Sequence, residues 1–367
     1  IKYGLTRFAN DCILFYLHFT QRHYFFRILA VSTFAAVTKY LFICRPADNL
    51  ASHYRTIADE CHNINDAFSD LCSPETKLKG LVVWVTGASS GIGEELAYQL
   101  AKCGSRLILS ARREEELQRV KQHCLDNSNL KDEDVLVLPL DLLERTSHEE
   151  KTNTAIQYFG HIDVLINNGG RSQRSLFLET SVEVCEALME LNFLGTVSLT
   201  KQVLPHMTQR GRGSIVTVSS VVGLVGAPLS TGYAASKHAL QGFFNSLRTE
   251  LTDFPKILIS TVCPGPVQSQ IVNNAFTEEL NRPLATVGSQ EHKMPTSRCV
   301  HLMLVGVANG VKEMWIAQQP FLLFYYAWQY APTFAWVITD WIGRKRVQNF
   351  KFGVDADSAY FTKPKTS

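Results

Sequence analysis

Tyr233 and Lys237 stand four residues apart in Tyr233-Ala234-Ala235-Ser236-Lys237, a spacing that sets a phenol and an ammonium on one side of a helix. Such a pair can donate and recover a proton. A free phenol has a pKa near 10, and bringing it to about 7 takes roughly 4 kcal/mol. An ammonium ~4 Å away at an effective dielectric near 20 supplies about that much, so a lowered phenol is expected. The spacing alone is weak, because Tyr98 and Lys102 repeat it and the chain has 12 tyrosines. Context separates the two. Tyr233 follows Ser220, at the end of an apolar run, by a return loop holding Gly223, Gly226 and Pro228, and Pro264-Gly265 closes the next apolar run. Tyr98 lies on the helix that opens at a glycine loop, where a surface contact is expected. Taken singly, Ser220 is also an ordinary turn serine, and Asn192 a helix kink or cap, asparagine being poor in helix interiors.

The glycine loop is Thr86-Gly87-Ala88-Ser89-Ser90-Gly91-Ile92-Gly93, between the apolar run 81–85 and a helical pattern over 94–103. Glycines let the backbone turn tightly and approach phosphates, while a helix N-terminus offers free N–H groups and partial positive charge. A dinucleotide site is expected, with an ordinary turn as the bland alternative. The spacing is TGxxxGxG rather than GxGxxG. An NAD site would place an acid at the end of the second strand to hold the ribose 2′-hydroxyl. Ser110-Ala111-Arg112-Arg113 stands there instead, and a guanidinium suits a 2′-phosphate. NADP(H) is therefore favoured over NAD(H), with Arg112 nearer the strand end and Arg113 opening a charged helix.

Seven apolar runs, at 81–85, 106–110, 134–140, 162–166, 214–218, 257–262 and 314–317, alternate with helical patterns. Gly104 is placed to end the first of those helices. Nearly continuous apolar strands between helices imply a parallel sheet covered on both faces. The fold class expected is α/β, a Rossmann-like doubly wound sheet of about seven strands, with its ligand at the carboxyl ends of the strands.

The glycine loop, Asn192-Phe193-Leu194-Gly195, Ser220, Tyr233 and Lys237 occur in the order of the short-chain dehydrogenase/reductase motifs, and the chain resembles that family over about residues 80–320. The resemblance implies that Tyr233 is the acid/base and that Ser220 hydrogen-bonds the substrate oxygen. It implies further that Lys237 holds the nicotinamide ribose and that Asn192 anchors a proton-relaying water. Asp141 and Leu142 would contact adenine, and Asn167-Asn168-Gly169-Gly170 would support the central strand, where the family usually has NNAG. Pro264, Gly265, Val267 and Ser269 complete the implied cofactor contacts. The pattern is closest to a membrane-bound, retinoid- and steroid-associated branch. A catalytically silent NADP(H)-binding sensor or scaffold is the rival, which the complete set of four residues opposes. Epimerases and dehydratases of the superfamily usually show TGxxGxxG, which this chain lacks.

Lysine and arginine number 36 against 34 acids, a net charge of +2, so no nucleic-acid footprint is expected. The nine cysteines show no CxxC and no zinc spacing; they read as reduced and buried, without a metal. Four regions are expected: a hydrophobic segment 1–44, a linker 45–79, a catalytic domain 80–319 and an aromatic, basic extension 320–367. Arg22, Arg27 and Lys39 interrupt the first, which reads as a membrane anchor, a transit peptide or a mistranslated extension. The last suits a membrane interface, and equally a packed extension forming a homodimer contact or the substrate entrance. Residues 268–298 are expected to form a mobile cover. With no charged cluster evident for the substrate, a lipophilic carbonyl or alcohol is preferred to a sugar or organic acid. Membrane association follows, at the endoplasmic reticulum or, alternatively, a mitochondrial or other intracellular membrane.

Overall fold

The computed structural model describes residues 73–282, 290–319 and 321–353. The expected hydrophobic segment 1–44, residues 45–72 of the linker, 283–289 of the expected cover, and 320 and 354–367 of the extension lie outside the described residues. The packed core begins before residue 80: helix α1 (Pro74–Leu78) falls within the expected linker, and Leu78 is buried in the core.

Seven parallel strands form one sheet in the order β3-β2-β1-β4-β5-β6-β7. They are β1 (Val82–Thr86), β2 (Arg106–Ser110), β3 (Val135–Val137), β4 (Val164–Asn167), β5 (Gly213–Val218), β6 (Ile257–Pro264) and β7 (Glu313–Ile316). Helices α2 (Gly91–Lys102), α3 (Glu114–Asp126) and α8 (Thr296–Ala308) are tied to the sheet through one core. The other face packs α4 (His148–Phe159), α6 (Thr196–Arg210) and α7 (Thr231–Glu250). Between α4 and α6 lies α5 (Val182–Met189). Alternation explains the two cores: Val83 and Val85 enter the first, Val82 and Trp84 the second. Trp84 is fully buried, and its indole N–H donates to Ser110 Oγ at 2.8 Å, which donates to the Leu138 carbonyl at 2.6 Å. That chain satisfies a buried donor and pins β1, β2 and the end of β3 side by side.

The third strand is shorter than its apolar run. Beyond Val137 the chain still donates from Leu138 to the Leu109 carbonyl and from Leu140 to that of Ala111, and this carries Asp141 to the strand ends. Gly104 ends α2 as expected, at φ +75°. The strand order reverses between β1 and β4, which opens a crevice at their carboxyl ends.

Two further helices, α9 (Phe321–Tyr330) and α10 (Pro332–Lys351), follow β7. Pro332 opens α10 at its first turn, where no N–H is missed. Tyr325 is buried with Val221, Val225 and Cys263, with Phe321, Phe324 and Trp328 packed around them. None of the helices among the described residues is long and apolar enough to cross a membrane.

Candidate active site

β1 runs directly into the glycine loop. Gly87 and Gly91 adopt left-handed φ of +66° and +59°. A Cβ on Gly93 would lie 2.1 Å from the Gly87 carbonyl oxygen, so the loop folds onto the start of α2 only without a side chain there. Thr86 Oγ1 accepts from the N–H groups of Asn168 and Gly169 at 3.0 and 3.1 Å. Asn168 Nδ2 donates back to the Thr86 carbonyl at 3.0 Å, locking β1 to β4 where the sheet order reverses. Gly169 departs from the family's alanine for a local reason: a Cβ there would lie 2.7 Å from Leu142 Cδ1, so Leu142 fills that space.

Thr86, Gly87, Gly91, Leu142, Asn168 and Gly169, with Ser89, Ser90, Ile92, Arg112, Arg113, Asp141 and Ser269, border a polar cavity of about 360 Å³. Both Arg112 and Arg113 are exposed at its rim. Asp141 Oδ1 accepts the Leu143 N–H at 3.0 Å, which turns the chain after β3. Arg171, which nothing in the sequence pattern marks, lines the same cavity. Its guanidinium lies 3.7 Å from the centre of the Phe276 ring and donates from Nε to the Asn274 carbonyl. Burial, and then the charge of Arg112, push its pKa down, so an anion between the two would be favoured.

Asn192 lies in a π-helical turn, Glu190–Gly195, that joins α5 to α6. Such turns free backbone groups and recur at functional sites. Fully buried, Asn192 accepts the Arg171 N–H at 2.9 Å and donates to the Arg171 carbonyl and to Ser236 Oγ, both at 3.0 Å. Its own carbonyl accepts from Thr196 Oγ1 at 3.0 Å.

Ser220 follows β5, and its hydroxyl accepts the Val222 N–H and donates to the Pro264 carbonyl, each at 3.3 Å. Pro264 closes β6, and Gly265 donates to the Ile316 carbonyl at 2.8 Å with no room for a side chain beside Ala317. Val267 pairs with Met294 and is buried. Tyr233 and Lys237 occupy the first turns of α7, both buried, with the Lys237 ammonium 5.7 Å from the centre of the Tyr233 ring. Lys237 Nζ donates to the Val218 carbonyl at 2.9 Å.

The electrostatics differ from the expectation. Burial raises the Tyr233 phenol, and the groups pulling it back are the Ser220 hydroxyl and the Arg174 charge. Burial also lowers Lys237 to about 8, with the Cys263 sulfur partly opposing that. Desolvation thus outweighs the expected ammonium effect in the protein itself.

Ser220, Tyr233 and Lys237 lie at one end of an apolar cavity of about 490 Å³. α9 and α10 wall it with Phe321, Phe324, Tyr325, Ile338 and Ile342, while Ile271 and Val272 contribute from the segment that follows β6. Asn168, Gly170 and Ser269 border both this and the polar cavity, so the two meet, and a Cβ on Gly170 would lie 3.7 Å from Lys237 Nζ. Arg174, Lys293 and Arg346 also line it, and none of the described lining residues is acidic. These three basic residues come from distant segments of the chain.

A profile of the short chain dehydrogenase family matches residues 81–280. The chain is 62% identical over 288 residues to dehydrogenase/reductase SDR family member 7 of Homo sapiens, covering 78% of this chain and 85% of that protein. The Mus musculus protein of the same name is 58% identical over 287 residues, covering 78% and 85%. Among solved structures, an alcohol dehydrogenase from Thermococcus sibiricus complexed with 5-hydroxy-NADP aligns with TM-score 0.57 and 24% identity, over 66% of this chain and 99% of that one. A short chain dehydrogenase/reductase from Burkholderia phymatum in complex with NAD aligns with TM-score 0.59 and 20% identity, over 79% and 99%. The chain belongs to the short-chain dehydrogenase/reductase family of oxidoreductases.

Proposed function

We propose that this protein interconverts a lipophilic carbonyl compound and its alcohol, of retinoid, steroid or related type, with NADP(H) as cofactor. The carrying observation is that Ser220, Tyr233 and Lys237 together line the apolar cavity, which shares Asn168, Gly170 and Ser269 with the polar cavity at the glycine loop. The nicotinamide, when bound, supplies or accepts the hydride. Ser220 hydrogen-bonds the substrate oxygen, and Tyr233 donates its proton to the alkoxide that develops there. Lys237 holds the nicotinamide ribose and favours the phenolate. Asn192 fixes the Arg171 backbone beside them and anchors the proton relay.

The loop glycines, Asn168, Arg112 and Arg171 fit a dinucleotide. Arg112 and Arg171 favour a 2′-phosphate, and the end of β2 carries Ser110-Ala111-Arg112-Arg113 with no acid to hold a ribose hydroxyl. Purified full chain assayed with retinal, a steroid ketone and a naphthoquinone is expected to oxidise NADPH and, with NADH, to run at least tenfold slower at roughly equal concentrations. Equal rates with both cofactors would overturn the NADP(H) assignment; no turnover of any probe with either would favour the silent sensor.

Membrane association is proposed as well, at the endoplasmic reticulum. Supporting it, α9 and α10 wall the apolar cavity, and the same two helices carry Tyr330, Trp336 and Trp341, each more than half exposed, together with Arg344 and Lys345. Carbonate washing of the full chain, of a form starting at residue 73 and of one ending at Gln319 separates the contributions of the two ends. Full-length chain in the soluble fraction without detergent would refute this part.

A further inference from the structure

Helix α7 begins without a cap of its own, since the Ser230 side chain at its start makes no capping bond. The acceptor comes from 59 residues earlier in the chain. Gln173 Oε1 accepts the Gly232 N–H at 2.8 Å and the Tyr233 N–H at 3.2 Å. Two of the four donors that every helix start leaves open are satisfied by this one oxygen. Gln173 is fully buried, and its Nε2 is held by Ser175 Oγ at 3.1 Å.

The backbone around Gln173 makes the same connection again. Ser230 Oγ donates to the Gln173 carbonyl at 3.2 Å, and the Ser175 N–H donates to the Leu229 carbonyl at 3.1 Å. Leu229 has φ +67°, the left-handed region that costs a branched side chain energy and needs outside support. On its other side the segment pairs with the substrate cover, with Arg174 N–H donating to the Phe276 carbonyl at 2.8 Å and Phe276 N–H to that of Ser172 at 2.9 Å. Phe276 then packs in one apolar cluster with Tyr233, Val184 and Leu188.

We infer that Gln173 is a positioning residue: it sets the first turn of α7, and so the Tyr233 phenol, and ties that turn to the substrate cover through the Phe276 pairing. The inference rests on the proposed role of Tyr233. Gln173 lines neither cavity, so it acts through the helix rather than on a ligand. Arg174, on the Gln173 segment, is the charge that acts on the phenol, and the Lys237 ammonium lies 5.7 Å from its ring centre on the same helix; Lys293 and Arg346 line the same cavity.

The test compares full-length wild type with Gln173→Met, which keeps the volume and removes the acceptor, and Gln173→Glu, which keeps the oxygen and adds charge. With the naphthoquinone and NADPH, Gln173→Met is expected to lose roughly ten- to a hundredfold in kcat per folded molecule, with KM and NADPH affinity within about twofold. Gln173→Glu is expected to recover most of kcat, while its carboxylate moves the alkaline limb of the pH profile to higher pH by favouring the neutral phenol. Hydrogen exchange is expected to quicken together in the first turn of α7 and around Phe276 in Gln173→Met, a readout that needs no turnover. Any of three results overturns the inference: kcat of Gln173→Met within twofold of wild type once the folded fraction is counted, an unmoved limb in Gln173→Glu, or faster exchange confined to one of the two segments. Tyr233→Phe is the reference. If it stays active, the reading of the acid fails, and the exchange result still decides the role of Gln173.

Discussion

Helices α2 and α7 carry the same Tyr-x-x-x-Lys spacing in very different surroundings. On α2, Tyr98 donates to Glu94 at 2.6 Å and accepts from Arg119 at 3.3 Å, in a cluster where Arg119 also pairs with Glu116 at 2.9 Å. Burial and Glu94 raise that phenol to about 12. On α7, Tyr233 is buried beside a serine and a lysine in the wall of the apolar cavity, with no carboxylate among its named neighbours. A phenol next to a carboxylate is held neutral as a structural donor. One facing a hydroxyl and cations in an apolar cavity can change charge when the reaction needs it. The spacing makes neither case; what lies within a few ångströms of the oxygen does.

Tyr233→Phe tests that contrast most severely. It removes one hydroxyl from a buried ring, so turnover is expected to fall by roughly 10² to 10⁴. NADPH affinity, read by fluorescence titration, is expected to be unchanged. Activity within tenfold of wild type would remove the distinction between the two tyrosines.

Lys237→Met is expected to lose both rate and cofactor affinity, unlike Tyr233→Phe. It also carries a pH signature. Burial brings Lys237 down from 10.5 to about 8, so between those values the unfolded chain binds more protons than the folded one, and stability rises with pH. Buried thiols act in the opposite direction above 9, their ordinary value, because Cys124, Cys263 and Cys299 are pushed up to about 12. From about pH 8 to 9 the lysine effect is therefore least masked. Over that interval the urea midpoint of wild type is expected to rise relative to that of Lys237→Met. Parallel pH dependence in the two proteins would mean that the ammonium is not desolvated.

The sequence is legible where one local pattern determines structure. Apolar runs located all seven strands, and the glycine loop announced its turn because Gly87, Gly91 and Gly93 each do something no other residue can do. Ser220, Tyr233 and Lys237 were legible because their order and context are specific, and folding brings them together. Arg171, Gln173 and Arg174 were not. They follow β4 with no periodicity, and their neighbours, Asn192, Phe276 and Ser230, come from three other segments. The expected lowering of the Tyr233 phenol counts the Lys237 ammonium together with the positive nicotinamide of an oxidised cofactor; in the protein alone, the water that packing removes from both side chains sets the direction.

Arg112→Asp contrasts the two cavities rather than the two tyrosines, and its effect is expected to be smaller. Exchanging a guanidinium for a carboxylate at the rim of the polar cavity removes a charge-assisted contact of about 1.5 to 3 kcal/mol. NADPH affinity is then expected to fall roughly ten- to a hundredfold, and the carboxylate, placed to accept from a ribose hydroxyl, shifts preference toward NADH. Affinities for both cofactors measured on wild type and variant check this. If both fall equally, Arg112 contacts a part that the two share.

Tyr98→Phe is expected to do least, and that makes it the control on which the comparison depends. It deletes a hydrogen bond to Glu94, yet Arg119 still reaches Glu94 at 2.7 Å and Glu116 at 2.9 Å. The cluster is partly exposed, so the loss is expected to be about 1 kcal/mol or less, a shift of a few degrees at most in Tm. kcat is expected to stay within twofold, because the hydroxyl faces an ion cluster and not a cavity. There is one route by which it could matter. Arg119 Nη2 also approaches the Ser89 carbonyl at 3.4 Å, on the glycine loop itself. Should Tyr98→Phe weaken NADPH binding without lowering Tm, the surface cluster would be braced against the loop through Arg119, and Arg119→Met would show the same loss. Unchanged affinity in both variants leaves the α2 tyrosine a structural donor, and Tyr233 alone of the pair in the chemistry.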